Sequence, residues 1–263
     1  MAEALFGGLC RSGRDPATII VAEPNANRRE SLVARYNVQV TADNRIVADR
    51  CETCVVAVKP QVLRDALVPL AAPLSERRPL LVSVAAGITL NSLDHWSGGF
   101  CPIVRAMPNT PALIGCGAAA LVGNERVSQS QRDRADAILA AVGLTTWLDD
   151  ESLLDVVTAL SGSGPAYFFL VMDALTKAGV QLGLDPLTAR RLCARTALGA
   201  ATLAETSEQS LEQLRLNVTS PGGTTERGIA ALQAGNLETV FNDAVDAARA
   251  RSVELAAELG EKE

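Results

Sequence analysis

Four short segments carry the residues best suited to hold and orient a small molecule. Ala57-Val58-Lys59-Pro60-Gln61 follows an apolar run, so a lysine and a proline stand at the end of an expected strand. Open parallel sheets bind ligands at the carboxyl ends of their strands, and these residues suit a phosphate or ribose contact there. The same spacing also fits a plain strand-to-helix turn. Arg105-Ala106-Met107-Pro108-Asn109-Thr110-Pro111 sets two prolines around Asn-Thr at a second strand end, which makes a rigid, preformed polar loop. Ser161-Gly162-Ser163-Gly164-Pro165-Ala166-Tyr167 opens a long helix, with Pro165 in the first turn where a missing amide hydrogen is tolerated. An ordinary Ser/Gly cap has the same composition. Val218-Thr219-Ser220-Pro221-Gly222-Gly223-Thr224-Thr225-Glu226 places four hydroxyls around a Gly-Gly pair before another helix. Helix-terminal amides and the helix dipole favour an anion at such a place, so the segment reads as a carboxylate cradle. It contains no strong base or nucleophile and is built to hold a small acid while a cofactor reacts with it.

Other chemistries find little support. The single histidine, His95, stands beside Trp96 and before Gly98-Gly99, which predicts an exposed helix end. A Ser-His-Asp site or a metallohydrolase is correspondingly disfavoured. Cys51 and Cys54 form a CxxC, but a tetrahedral zinc site would need distant single cysteines as its other ligands. Reduced thiols at a strand start are expected instead, with no metal. Six cysteines in 263 residues are too few and too scattered for a disulfide framework.

The elements that must position the four loops fall into two kinds. In the first half, β-branched runs at residues 18–22, 38–40, 55–58, 80–84 and 103–106 read as strands. Amphipathic helices are expected at 27–36 and 62–70, and edge strands at 118–122 and 145–148 around a helix at 131–142. Continuous apolar strands separated by helices indicate a parallel sheet covered on both faces, an α/β doubly wound domain. From Ser152 onward only helical periodicity is found, at 155–160, 166–182, 186–205, 210–218, 226–234 and 237–259. The boundary is expected near 149–152, giving domains 1–150 and 151–263. The Ala-rich helices of the second half carry few large apolar residues for an isolated bundle, so packing against a second copy is expected.

Lys plus Arg number 24 and Asp plus Glu 30, a net charge of −6, which argues against a nucleic-acid partner. No apolar run approaches the ~18 residues of a membrane span. The richest, at 167–175, is broken by Asp173, and Glu3 with Gly7-Gly8 interrupts any signal-peptide core. A soluble, cytoplasmic protein without a membrane partner is expected.

Taken together, AVKPQ (57–61), VSVAAGI (82–88), RAMPNTPAL (105–113), SGSGPAYFF (161–169) and VTSPGGTTERGIAAL (218–232) resemble pyrroline-5-carboxylate reductases, in that family's order and spacing. The resemblance spans essentially the whole chain. It implies a Rossmann-type domain followed by an all-α dimerisation domain, assembled as homodimers that often gather into decamers. It also implies hydride transfer from NADPH or NADH to the ring imine of L-pyrroline-5-carboxylate, giving L-proline. By the motif match, Ala57, Val58, Lys59 and Pro60 line the cofactor site, Asn44 meets the adenosine ribose or its phosphate, and Met107, Pro108 and Asn109 border the nicotinamide. Val218, Ser220, Gly223, Thr224 and Thr225 hold the substrate, with the Thr225 hydroxyl near the imine nitrogen as the catalytic group. A protonated imine is already electrophilic, so the reaction needs positioning more than acid–base machinery.

One departure stands out. The G-x-G-x-x-G turn of a dinucleotide fold is absent, and the chain starts in what reads as the following helix, residues 1–11. Family members begin with a strand and a glycine-rich turn ending Gly-Asn-Met-Ala, and this sequence starts at that Met-Ala, as a late start codon or a truncation would give. Neighbouring strands are then expected to lack a partner and NAD(P)H to bind poorly. Glu23 suits the ribose hydroxyls of NAD, whereas Arg28 and Arg29 suit the extra phosphate of NADP or serve as solvated helix residues. A 3-hydroxyacid dehydrogenase using Lys177 is a rival that TSPGGTT disfavours. A non-catalytic helical module over residues 152–263 is another, disfavoured by the intact substrate loops.

Overall fold

Helix α1 (Ala2–Arg11) carries Glu3 in its first turn and Arg11 in its last, charges that complement the helix dipole. In the computed structural model, which describes residues 1–260, α1 leads to a 3₁₀ turn at Pro16–Thr18 and then β1 (Ile20–Ala22). The strand expected from residue 18 starts later because Asp15 accepts a hydrogen bond from Ala17 N and winds that turn. Helix α2 (Ala26–Tyr36) is capped by the Asn25 side chain and closed by Asn37, whose φ of 55° lies in the left-handed region. Strand β2 (Gln39–Thr41) pairs with β1 in parallel.

Helix α3 (Asn44–Arg50), capped by Asp43, precedes β3 (Thr53–Val56). Residues 57 and 58, expected inside that strand, lie beyond it. Register with the next strand runs only from Thr53 opposite Leu80 to Val56 opposite Ser83. Helix α4 (Pro60–Leu67), with Pro60 in its first turn, continues through a 3₁₀ turn into α5 (Ala71–Arg77). The wholly buried β4 (Leu80–Ser83), α6 (Leu90–Trp96) and β5 (Ile103–Pro108) follow. His95 is exposed in the last turn of α6, as expected. After a 3₁₀ turn at Thr110–Ile114 come β6 (Gly117–Gly123), α7 (Gln129–Ala140) and β7 (Gly143–Trp147).

Strands β3, β4 and β5 are parallel, but β6 runs antiparallel to β5 and β7 parallel to β6. The sheet is therefore mixed rather than all-parallel. The physical reason is that residues 109–116 are too few to make the crossover a parallel neighbour needs. The strands form two sheets, β1-β2 and β3-β4-β5-β6-β7, and among the described residues no strand joins β1 to β3. Helix α1 packs on both sheets. Phe6 meets Leu32 and Val38, while Ala4 and Leu5 join Leu80, Val82, Val104 and Leu121. Its approach to the loop before β7 is close enough that a Cβ on Gly8 would lie 2.4 Å from Val142 Cγ1.

The remainder is helical. Helix α8 (Leu153–Val157) passes through a π-helical turn, Thr158–Gly162, into α9 (Gly164–Gln181). Then come α10 (Pro186–Thr206), α11 (Leu211–Asn217), α12 (Thr224–Ala234) and α13 (Leu237–Gly260). Packing groups Met1–Ser163 with residues 247–260 as one compact unit and Gly164–Asp246 as another. Helix α8 belongs to the first because Leu154 is buried against Ala120 and Val122. The end of α13 does so because Ser252 donates to Asp155 Oδ1 at 2.7 Å and Leu259 packs beside Leu93 and Trp96. In the second unit α9 and α10 pack together, with Gly179 close to Leu184 and Ala189.

The continuous helix Leu153–Gln181 spans 29 residues and is long and apolar enough to cross a membrane by length and composition. The apolar run at 167–175 underestimated it, because Asp173 does not interrupt the helix and is instead paired with Lys177 on its surface. Phe168, Phe169 and Leu170 are more than half exposed along it.

Candidate active site

The carboxyl ends of β3, β4 and β5 lie along one edge of the five-stranded sheet, so their following loops are neighbours at about 5 Å spacing per strand. Two of the four sequence-derived segments meet there. Ala57 and Val58 leave β3 half-buried, Lys59 is the exposed N-cap residue of α4, and Pro60 is its first helical residue. Met107 and Pro108 end β5, and Asn109 follows in an extended conformation. Asn44 stands apart from this edge, exposed in the first turn of α3 just after β2.

Between the two loops lies one that the sequence reading assigned no role. Residues 84–88 leave β4 with Ala86 exposed between buried Ala85 and Gly87, and Gly87 has φ +74°. A signal for this bend existed, since Ala-Ala-Gly directly after a buried strand marks a turn that needs a left-handed residue.

Part-buried polar contacts fix β5 and its end. Arg105 Nη1 donates to Glu151 Oε1 at 2.7 Å, and the same oxygen accepts from Leu90 N at 2.7 Å. Asn109 Nδ2 donates to Ser161 O and its Oδ1 accepts from Ala118 N, both at 3.0 Å. None of these partnerships was apparent from the sequence, because the residues are far apart in the chain.

The 218–226 segment, expected to form a carboxylate cradle, lies in the second unit. Gly223 is the N-cap of α12, without a side-chain cap, and Thr224 and Thr225 are its first two helical residues. Gly222 adopts φ +72°, and Gly223 N donates to Ser220 O at 3.0 Å, which folds the segment back on itself. A side chain at position 223 would lie 2.9 Å from that oxygen. Of the four hydroxyls, Thr219 Oγ1 is committed to Arg215 O, whereas those of Ser220, Thr224 and Thr225 make no hydrogen bond among the described residues. Val218 is exposed beside them. Glu226 Oε2 accepts from Gly222 N, so one carboxylate already stands at this helix start.

Cation chemistry at the sheet edge suits a phosphorylated ligand. Lys59 forms no ion pair among the described residues. Near the end of β1, Arg28 is largely exposed, at 3.4 Å from both Glu3 and Glu23. Arg29 is committed differently, donating to the carbonyls of Glu23 and Pro24. The thiols are unsuited to catalysis there. Burial pushes Cys54 up to about 12 and Cys101 up to about 11, so both are neutral at ordinary pH. No cluster of metal-ligating side chains occurs among the described residues.

A Rossmann-like α/β half with the exposed Lys59 at a strand end, followed by a helical half, is the architecture of a class of nicotinamide-dependent oxidoreductases. Residues 1–87 match the family model for coenzyme F420-dependent NADP oxidoreductases, and residues 151–255 match that for pyrroline-5-carboxylate reductase dimerisation. The pyrroline-5-carboxylate reductase of Pseudomonas aeruginosa is 46% identical over 261 residues, covering 99% of this chain and 95% of that protein. The Synechocystis reductase is 42% identical over 258 residues, covering 97% and 94%. The solved pyrroline-5-carboxylate reductase of Coxiella burnetii matches with a TM-score of 0.94 at 43% identity, covering 97% of this chain and 94% of that one. That of Plasmodium falciparum, with NADP bound, matches at 0.84 with 28% identity, at the same coverage. The chain belongs to the pyrroline-5-carboxylate reductase family.

Proposed function

We propose that the chain reduces L-pyrroline-5-carboxylate to L-proline with NADPH or NADH, with its 1–150 domain holding the dinucleotide and its 151–263 domain the substrate. The observation that carries this reading is the α12 N-terminus in a chain of this family. Three hydroxyls that make no hydrogen bond among the described residues surround a helix start without a side-chain cap, whose one carboxylate, Glu226, is held by Gly222 N. Ser220, Gly223 and Thr224 hold the substrate carboxylate through hydroxyls and helix-terminal amides. Val218 gives the ring an apolar wall, and Thr225 is the catalytic residue, its hydroxyl directed to the imine nitrogen. Ala57, Val58, Lys59 and Pro60 hold the dinucleotide on one side, Asn44 its adenosine end, and Met107, Pro108 and Asn109 border the nicotinamide. When bound, the reduced nicotinamide supplies the hydride. The protein's own residues orient the ring, neutralise the carboxylate and exclude water.

The exposed apolar length of α9 supports a homodimer built through the helical half, with decamers as its larger assembly. A subunit contact accounts for Leu153–Gln181 better than a membrane does, given the Asp173–Lys177 pair on that helix. The protein acts in the cytoplasm, on a small molecule and not on nucleic acid. The test is oxidation of NADPH and NADH in the presence of pyrroline-5-carboxylate. Substrate-dependent oxidation supports the proposal. None with either dinucleotide would favour a helical module without catalysis.

A further inference from the structure

We infer that Asn109 is a positioning residue: its amide latches the end of β5 to the π-turn Thr158–Gly162, and so sets where Met107 and Pro108 stand. The inference rests on the proposed reading that these two residues border the nicotinamide. It adds a role that the proposed contact set does not contain.

The argument starts from two backbone groups that lack ordinary partners. In an α-helix the Ser161 carbonyl would accept from the N–H of residue 165, four positions on. Residue 165 is proline and has no N–H. The chain opens into a π-turn at this point, where Ser163 N reaches back to Thr158 O at 2.8 Å. Two hydroxyls brace the same turn, Thr158 Oγ1 on Leu154 O and Ser161 Oγ on Val157 O. The Ser161 carbonyl is left for a donor from elsewhere, and Asn109 Nδ2 supplies it at 3.0 Å.

The second group is the amide of Ala118. The β5–β6 ladder ends with Pro108 opposite Ala119, after which the chain turns away into the 3₁₀ segment. Asn109 Oδ1 takes the Ala118 N–H at 3.0 Å. The partners fix which end of the amide is which: reversed, it would face carbonyl to carbonyl and N–H to N–H. One side chain therefore joins the end of β5, the start of β6 and the π-turn. Glycine makes the approach possible, because a Cβ at Gly162 would stand 2.6 Å from Met107 Cε. Met107 and the π-turn are thus in contact beside the latch, and loss of the latch frees the residue assigned to the nicotinamide.

Three variants separate the roles. Asn109→Asp keeps the acceptor for Ala118 N but sets a carboxylate oxygen against the Ser161 carbonyl. Asn109→Ala removes both bonds. Pro165→Ala, added to Asn109→Asp, returns an intrahelical donor to Ser161. We expect N109D to weaken binding of NADPH, read directly by its fluorescence, about tenfold. The KM for pyrroline-5-carboxylate should change less than about twofold, because the cradle is on the other unit. Hydrogen exchange at Ala118 N should stay slow in N109D and become fast in N109A. The N109D/P165A double variant should recover NADPH affinity to within about threefold of wild type, a rescue that general destabilisation would not give. Unchanged NADPH affinity in N109D, or loss that tracks thermal stability without rescue by P165A, overturns the positioning role. A wild-type chain that binds NADPH but does not reduce pyrroline-5-carboxylate would sink the proposed function and leave this comparison standing.

Discussion

Arg105 and Glu151 are joined at 2.7 Å, Nη1 to Oε1, with the guanidinium side chain only 6% exposed. Because Leu90 N donates to the same oxygen, one carboxylate ties the middle of β5 to the first turn of α6 and to the segment leading into α8. The contact fixes the strand that delivers Met107 and Pro108 to the sheet edge.

Removing the carboxylate strands a buried cation. Glu151→Ala is expected to cost about 3 kcal/mol, the low end for broken buried pairs because Glu151 keeps some contact with water. Glu151→Gln retains an acceptor and should cost about 1 kcal/mol. Replacing the pair by Arg105→Met with Glu151→Leu should recover most of the loss. Urea unfolding at constant slope reads all three. A Glu151→Ala chain as stable as wild type would show that the pair contributes nothing.

Legibility followed the range over which each feature is encoded. The turn and helix start at 218–226 were readable because they occupy nine successive residues; the commitment of Thr219 to Arg215 O was not. The strands β4 and β5 and helices α9 and α10 announce themselves by long apolar or Ala/Leu runs. Helices α3 and α5 have seven residues each, too few to display a period, although Asp43 before α3 was a capping signal. The reversal of β6 was implicit in the short 109–116 link. Arg105 with Glu151 and Asn109 with Ser161 are separated by 46 and 52 residues, and spacing says nothing about such pairs. Asn109 was readable as a polar residue in a rigid loop, not as a latch.

Thr225 should separate activity from stability. It is exposed in the second helical position of α12, and its hydroxyl bonds no described residue. Thr225→Ala should therefore change stability by no more than about 0.5 kcal/mol. Turnover with pyrroline-5-carboxylate should fall about tenfold or more, since the donor proposed for the imine nitrogen is lost. Steady-state kinetics beside thermal unfolding decide it, and unchanged turnover would remove the catalytic role.

Arg28 and Arg29 should differ, although adjacent. The Arg28 guanidinium is mostly exposed and held only at 3.4 Å by Glu3 and Glu23, so it can turn to an added phosphate. Arg29 is bound to the carbonyls of Glu23 and Pro24 at 2.7 and 2.9 Å. Arg28→Ala should raise the KM for NADPH about tenfold relative to that for NADH. Arg29→Ala should instead cost about 1–2 kcal/mol of stability and move both values together. Equal effects of Arg28→Ala on the two dinucleotides would refute the distinction.

Cys54 gives the fold an alkaline limit. Its thiol lies in the apolar cluster with Leu63, Leu81 and Ile103, and burial raises its pKa from 9.0 to about 12. Below pH 9 the thiol is neutral in both folded and unfolded chains, and its burial contributes fully. Above pH 9 the unfolded chain releases a proton that the folded chain retains, so stability falls until the folded thiol also ionises near pH 12. The slope approaches about 1.4 kcal/mol per pH unit for one such group. Cys101, raised to about 11 by burial and by Asp94, adds to the same fall. Cys54→Ala is less stable than wild type at neutral pH because it leaves a small cavity. Its deficit should shrink steadily as pH rises from 9 to 11, measured by urea midpoints across that range. A deficit that stays constant over the same range would mean that Cys54 ionises alike in the folded and unfolded chains.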